Sequence, residues 1–257
     1  MSLNPPIRDW RGLRVWVIGA STGIGLALAR ELLERGARVA VSARRRELLA
    51  KAFGESAAVL VQPLDITDAD AIEAALAAII EAWGGLDVGV VMAGTYQPLR
   101  AWELSPAVIR GTIETNVYGA MNASALIARR YLEQGSGHLS IVSSVAGYRG
   151  LPKAAVYGPS KAAMINFAEA LWLDLSPRGI GVSVVNPGFV RTPLTTGNDF
   201  PMPHLIEPEE AARQMIAGYA AGDFEIDFPK AFTRQLRLLR HLPYGLYFRA
   251  IRKATGL

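Results

Sequence analysis

The sequence contains no cysteine. Disulfides and thiolate metal sites are therefore excluded, and no other cluster calls for a metal. A reducing compartment is compatible with this, and a cytoplasmic location is expected. No uncharged apolar run approaches the length needed to cross a bilayer. The stretch MSLNPPIRDWRGLRV lacks an apolar core followed by a small-residue cleavage site, so no secretory signal is expected. Internal repeats, low-complexity segments and linkers are also missing, which leaves no point at which to divide the chain. Finally, no acidic residue follows Asp227. The tail beyond it carries Lys230, Arg234, Arg237, Arg240, Arg249, Arg252 and Lys253, against a net charge of +4 for the whole chain, so the remainder sums to −3. A basic domain with a nucleic-acid reader motif is not what this pattern describes.

What is present is a regular alternation. RVWVIGA, RVAVSA, AAVLVQPLD, LDVGVVMAG, GHLSIVSS, IGVSVVNPG and FEIDFP read as seven short strands. Between them lie segments with helical periodicity, including one long stretch from about Leu104 to Glu133 and another from Tyr157 to Ser176. Strands separated by helices pair in parallel through right-handed crossovers, and strands apolar on both faces imply helices on both sides of the sheet. With 51% hydrophobic and 19% charged residues the chain can fill such a core. The expectation is α/β: a single doubly wound, Rossmann-type domain with about seven parallel strands. Residues 1–228 form its body. Residues 229–257 form a basic, partly amphipathic extension packed on the same domain or on a partner.

Between the first strand and the first helix stands GASTGIG, with Gly19, Gly23 and Gly25 flanking Ser21, Thr22 and Ile24. Glycine allows a sharp turn and a close approach of backbone to ligand. The unpaired N–H groups of the following helix suit a pyrophosphate. The spacing is G-x-x-x-G-x-G; the competing reading is a plain turn. At the end of the second strand an acid would bond a ribose 2′-hydroxyl. Here Ala43 holds that place and Arg44 and Arg45 follow. A guanidinium favours a 2′-phosphate through charge-assisted bonds, so NADP(H) is preferred over NAD(H). The alternative is an exposed basic helix start.

Tyr157 and Lys161 lie four residues apart at the start of a helix, hence on one face, and Ser144 ends the fifth strand. Open α/β sheets place their sites at such strand ends. An ordinary tyrosine is a poor acid–base near neutrality, and a neighbouring ammonium lowers its pKa. A serine hydroxyl can steady developing charge on a substrate oxygen. Taken singly, these residues equally well describe a strand-end serine, a half-buried tyrosine and an exposed lysine.

In combination, the glycine loop and the S-x12-Y-x-x-x-K spacing of Ser144, Tyr157 and Lys161 make the sequence, over roughly Leu13 to Thr192, resemble the classical short-chain dehydrogenases/reductases. The resemblance implies an NAD(P)-dependent oxidoreductase interconverting a carbonyl and a secondary alcohol. It implies that Asn116 completes a catalytic tetrad and helps a water chain return protons, and that Lys161 also bonds the nicotinamide ribose. It implies that Asp65, with Ile66, contacts the adenine, and that Ala93 and Gly94 stand beside the cofactor. Pro187, Gly188, Val190 and Thr192 would hold the nicotinamide. One departure is plain: Val91 and Met92 replace the two asparagines of the family's N-N-A-G motif, which puts bracing of the central sheet in doubt. Family members often form dimers or tetramers, so a homodimer or homotetramer is expected.

Substrate contacts are sought in the segments Thr95–Trp102, Gly147–Ala155 and Thr192–Ile206. Tyr96, Trp102, Tyr148, Leu151, Leu194, Phe200 and Met202 suggest an apolar pocket, and Arg100, Arg149 and Arg191 can reach inward. In the tail, Phe232, Leu236 and Leu239 share a helical face, Arg234 and Arg237 point elsewhere, and Pro243 ends the helix. Docking on the protein is favoured over a membrane surface. Two other functions stay open: a nucleotide-binding regulator without turnover, and a membrane-surface reductase of a lipid-like substrate.

Overall fold

The computed structural model describes residues 2–54 and 56–256. Among these, seven strands form one parallel sheet: β1 (Arg14–Ile18), β2 (Arg38–Ser42), β3 (Val59–Val61), β4 (Val88–Val91), β5 (His138–Val142), β6 (Gly181–Pro187) and β7 (Glu225–Phe228). Their spatial order is β3-β2-β1-β4-β5-β6-β7. The order reverses between β1 and β4, and the carboxyl ends of these two strands open a crevice there.

Alternation along each strand feeds two cores. Val15 and Val17 of β1 face one layer, and Trp16 and Ile18 face the other. The first layer is covered by α1 (Gly23–Glu34), α2 (Arg46–Phe53) and α7 (Pro208–Ala221), through Leu28, Leu32, Leu49, Met215 and Tyr219. The second is covered by α3 (Ala69–Trp83), α5 (Ala120–Gln134) and α6 (Tyr157–Leu175), through Ile72, Ile79, Ile127, Tyr131 and Met164. Local chemistry sets the helix limits. Asp68 caps α3 by accepting from the Ala71 N–H, and Gly84 ends it in the left-handed region. Ser105 caps α4 (Pro106–Ile113), whose first residue is the proline that needs no N–H partner there.

The stretch read as one long helix is continuous but irregular. A single π-helical turn, Glu114–Gly119, joins α4 to α5 and contains Asn116. Such turns insert a residue into the helical register and re-aim its neighbours. Nothing in a hydrophobic period of 3.6 announces it.

The tail forms α8 (Lys230–Arg240) and α9 (Tyr244–Thr255), divided at Pro243. Phe232, Leu236 and Leu239 are half-buried on one face of α8. Arg237, expected to point elsewhere, turns inward, because Glu225 and Asp227 of β7 attract it at 2.6 and 3.0 Å. α9 buries Tyr247 and Ile251, and Tyr247 Oη donates to the Gly150 carbonyl at 2.7 Å. Its outward arc carries Arg249, Arg252 and Lys253, all exposed. No helix among the described residues is long and apolar enough to cross a membrane.

One fold contact has no sequence signal. Asn4, 3% exposed, bonds across the edge of β6: Nδ2 donates to the Val182 carbonyl at 2.8 Å, and Oδ1 accepts from the Val182 N–H at 3.0 Å. It also accepts from Trp172 Nε1 at 3.2 Å. Removing this amide strands buried polar groups, at a cost of about 1–3 kcal/mol. Asn4→Ala is therefore expected to lower the melting temperature by roughly 3–9 °C, read by thermal denaturation, with turnover well below melting unchanged.

Candidate active site

A cleft of about 800 Å³ opens at the carboxyl ends of β1, β4, β5 and β6. The loop from β1 to α1 forms one wall. Gly19 has φ +108°, and a Cβ there would come within 2.7 Å of the Ala93 nitrogen. Gly23 has φ +58°, and its Cβ would meet Thr192 Cγ2 at 2.9 Å. Both positions therefore require glycine for space as well as conformation. Thr22 is the N-cap of α1, and its side chain makes no capping bond. The N–H groups at the start of α1 have no intrahelical partners. Together they form a cradle of donors beside Ser21, Ile24 and Gly25, a shape and polarity that fit the diphosphate of a dinucleotide.

The far end of the cleft is basic. Ala43, Arg44 and Arg45 line it at the end of β2. Both arginines are exposed, and neither forms an ion pair or side-chain hydrogen bond among the described residues. Asp65 and Ile66 line the neighbouring wall. Asp65 Oδ1 accepts from the Thr67 N–H at 3.0 Å and from Thr67 Oγ1 at 2.8 Å, which fixes the carboxylate's direction.

The floor brings together Ser144 from the end of β5 and Tyr157 and Lys161 from the start of α6. β5 ends at Val142, and Ser144 follows in extended backbone. Its Oγ accepts from the Ala146 N–H at 3.1 Å and donates to the Pro187 carbonyl at 3.4 Å. Tyr157 opens α6, and Lys161 lies one turn on, 5% exposed. Lys161 Nζ donates to the Val142 carbonyl at 3.0 Å and sits 5.7 Å from the centroid of the Tyr157 ring. Ser143 Oγ donates to the Lys161 carbonyl at 2.6 Å, tying β5 to α6. Tyr96 packs edge-on against Tyr157, with ring centroids 4.7 Å apart. Ala93 and Gly94 line the cleft beside them, and Pro187, Gly188, Val190 and Thr192 line the wall opposite.

The electrostatics differ from the expectation that Lys161 depresses the Tyr157 pKa. Tyr157 is half-buried by exposure, yet protein surrounds it so closely that burial pushes its pKa up to about 12; the Ser144 hydroxyl pulls the other way. Burial also draws Lys161 down to about 8. Desolvation outweighs their mutual influence because each charged form loses more water than it gains in partners. The phenol is therefore protonated and the lysine mostly charged at neutral pH.

Asn116 is the one residue of the expected tetrad that does not line the cleft. It is 1% exposed, and its side chain is fully engaged. Oδ1 accepts from the Thr95 N–H at 2.7 Å, while Nδ2 donates to the Thr95 carbonyl at 2.9 Å and to Ser160 Oγ at 3.1 Å. Its amide clamps the segment after β4 to α6 and has no bond to Lys161. A Cβ on Gly94 would lie 3.3 Å from Asn116 Oδ1 and 3.5 Å from Lys161 Nζ, so all three crowd one point.

Of the residues proposed for an apolar pocket, only Leu194 lines the cleft. Trp102 is 81% exposed. Tyr148 bonds to Glu225, away from the cleft, and Phe200 packs tilted against Phe189, with ring centroids 6.1 Å apart. The three arginines do not reach in. Arg149 donates to tail carbonyls and lies over Tyr247 at 4.1 Å, Arg191 pairs with Glu207, and Arg100 lies over Trp102. The sequence reading missed a wall supplied by α4 and the π turn: Val108, Gly111, Thr112 and Thr115. Its only sequence trace is small and hydroxyl residues at positions 111 and 112, with another at 115, one helical turn on. Met92 also lines the cleft and packs against the glycine loop, while Val91 is buried in the core, so the asparagine positions are filled by apolar packing.

A model of the short chain dehydrogenase family matches residues 14–200. An uncharacterized oxidoreductase of Myxococcus xanthus (strain DK1622) is 40% identical over 241 residues, spanning 92% of this chain and 95% of that protein. A short chain dehydrogenase from Burkholderia cenocepacia J2315, solved in complex with NADP, has a TM-score of 0.83 at 23% identity and covers 95% of this chain and 99% of its own. A short chain dehydrogenase/reductase from Burkholderia phymatum, solved in complex with NAD, has the same TM-score at 22% identity, covering 90% and 94%. These two structures establish likeness of fold; the family match and the Myxococcus relative carry the kinship. The chain belongs to the short-chain dehydrogenase/reductase family and is an oxidoreductase of its NAD(P)-dependent, CH–OH/C=O kind.

Proposed function

We propose that the protein is an NADP(H)-dependent reductase of a largely apolar ketone or aldehyde, with Tyr157 as proton donor, Ser144 holding the substrate oxygen and Lys161 supplying positive charge beneath them. The observation that carries this reading is the convergence of Ser144, Tyr157 and Lys161 on the floor of the cleft whose walls are the glycine loop and the segment Pro187–Thr192. Residues 1–228 are the catalytic body in this reading, with the tail as an extension that packs on it.

When bound, a reduced nicotinamide supplies the hydride that reaches the carbonyl carbon. The substrate oxygen then takes the Tyr157 proton, giving the alcohol. A phenol whose pKa is near 12 is fully protonated near neutrality, so the donor is ready. Ser144 Oγ is anchored from behind by the Ala146 N–H and can turn its proton from the Pro187 carbonyl to the substrate oxygen. The buried ammonium of Lys161 stabilises the phenolate left behind, more strongly than it would in water. Asn116 keeps Thr95 and Gly94 in place beside Lys161 and so holds the cleft side of β4; its part in returning protons from solvent rests on the family resemblance alone. Replacing Tyr157 by Phe removes only the hydroxyl. Reduction of a panel of ketones, followed by NADPH absorbance, is expected to fall roughly a hundred- to ten-thousand-fold with NADPH binding retained. Turnover equal to that of the unaltered protein would refute the role.

The preference for a 2′-phosphate rests on Arg44 and Arg45, exposed at the rim and without carboxylate partners among the described residues. Arg44→Ala is expected to weaken NADPH binding by about tenfold or more while leaving NADH binding nearly unchanged. Tighter binding of NADH than of NADPH by the unaltered protein would overturn the assignment.

The two shifted groups also set the pH dependence. Raising the Tyr157 pKa extends the range in which the phenol is protonated, so reduction does not lose its donor until far above neutrality. Lowering the Lys161 pKa removes its charge as the pH rises through about 8. Reduction at saturating substrate is therefore expected to be flat near neutrality and to decline above about pH 8. Alcohol oxidation, which needs the phenolate and the ammonium that stabilises it, is expected to rise up to about pH 8 and to level off above it, as Lys161 loses its charge. A reduction rate that climbs steadily through that point would contradict the scheme.

A further inference from the structure

β7 presents Glu225 and Asp227 two residues apart, hence on one face of the sheet. Glu225 joins three segments. Its Oε1 accepts from Tyr148 Oη at 2.5 Å and from Asn186 Nδ2 at 2.8 Å, and its Oε2 pairs with Arg237 at 2.6 Å. Tyr148 follows Ser144 by four residues. Asn186 directly precedes Pro187 and Gly188. Arg237 comes from α8. The same Arg237 nitrogen also pairs with Asp227 at 3.0 Å, and Lys230 meets Asp227 at 2.6 Å. Two carboxylates and two cations thus balance, with Asp227 1% exposed and the Lys230 and Arg237 side chains covering it partly open to solvent. Without a cation the two carboxylates would repel, and Glu225 would turn away.

The segments that Glu225 links are those that meet at the cleft floor, where Ser144 Oγ donates to the Pro187 carbonyl. α8 presses on the same place from outside. Phe232 packs tilted against Phe189, with ring centroids 5.2 Å apart, and a Cβ on Gly188 would come within 2.8 Å of the Phe232 ring. The sheet does not need these side chains to hold together: β6 and β7 pair through their backbones from Val184↔Glu225 to Pro187↔Phe228.

We propose that Glu225 is a positioning residue for the reaction, aligning from behind the segment that carries Ser144 and the segment that carries Pro187–Gly188, and that Arg237 of the tail keeps its carboxylate aimed. This rests on the reading of those segments as holding the substrate oxygen and the nicotinamide. Glu225 touches neither; it acts through Tyr148 and Asn186. The tail thereby becomes part of the active-site frame.

The test uses the full chain with four variants: Glu225→Ala, Glu225→Gln, Arg237→Met and Tyr148→Phe. NADPH affinity is read by fluorescence titration, and kcat and KM with a reducible ketone, at a temperature well below melting. Glu225→Ala is expected to weaken NADPH binding about tenfold and to lower kcat about tenfold or more, since small misplacements of reacting groups cost that much. Glu225→Gln keeps an acceptor for Tyr148 and Asn186 and is expected to restore NADPH affinity to within about twofold. Arg237→Met is expected to fall between the two. Tyr148→Phe, which loosens only the Ser144 side, is expected to lower kcat with NADPH affinity unchanged. A Glu225→Ala protein that melts earlier but binds and turns over normally overturns the proposal, because its role is then stability alone. Should that variant not fold, normal kcat and affinity in both Arg237→Met and Tyr148→Phe overturn it as well. An unaltered protein that binds no dinucleotide overturns the functional reading and this proposal together, whereas an unaltered protein that binds and reduces, beside a Glu225→Ala that does the same, overturns this one alone.

Discussion

Lys161 carries an ammonium into the floor of the cleft with one side-chain hydrogen bond among the described residues, to the Val142 carbonyl at the end of β5. A buried cation with a single neutral acceptor is costly, and the cost appears as a pKa drawn down to about 8. Much of the surrounding architecture answers that constraint. The β5 carbonyl is aimed at it, Ser143 fixes the backbone of the lysine itself, Gly94 leaves room beside it, and the Asn116 clamp holds the segment that carries Gly94. The π turn that contains Asn116 lets one helix supply both a buried clamp and a wall of the cleft.

The sheet order explains why these parts meet. At the reversal between β1 and β4, the chain leaves the sheet in opposite directions, and the loops after β1, β4, β5 and β6 surround one crevice. Each contributes what its local chemistry allows. The β1 loop offers backbone donors, because glycines permit a turn that a side chain would block. The β5 and α6 ends offer a hydroxyl, a phenol and an ammonium. The segment after β6 forms the wall opposite, and it is closed at its base by the paired backbone of Val190 and Ile206 and pinned further out by Lys153 on Asp199.

Much of this was legible beforehand, for reasons that differ by element. The seven strands announce themselves as apolar runs because parallel strands are buried on both faces, and their alternation with helices dictates the parallel pairing. The residues from Gly19 to Gly25 and the set Ser144, Tyr157 and Lys161 could be collected on one cleft because each sits at a strand end or helix start, where the fold class already fixes location. The illegible parts are those that depend on one distant partner. Trp102 and Tyr148 look alike to a reading that counts aromatics near the site, yet one is exposed and the other is captured by Glu225. Arg237 looks solvated until β7 is placed beneath α8. The pKa of Tyr157 has the same origin: spacing puts a cation nearby, but only the packed structure sets the desolvation that opposes it.

Charge segregation along the chain takes on a physical sense in this light. The tail holds no acid of its own, so any ion pair that fastens it must reach back to the body, and the nearest acids in sequence are Glu225 and Asp227. A tail with internal acids could have satisfied its arginines locally, through pairs one helical turn apart, and would have had no electrostatic reason to lie where it does. Because α8 begins two residues after β7 ends, the acids of the strand and the basic residues of the helix are brought face to face by the shortest connection. The strand that receives α8 is also hydrogen-bonded to β6, which ends in Asn186 and Pro187. An extension anchored to β7 by charge therefore acts on the cleft wall through one strand pairing and one shared carboxylate, without any described residue of the tail lining the cleft.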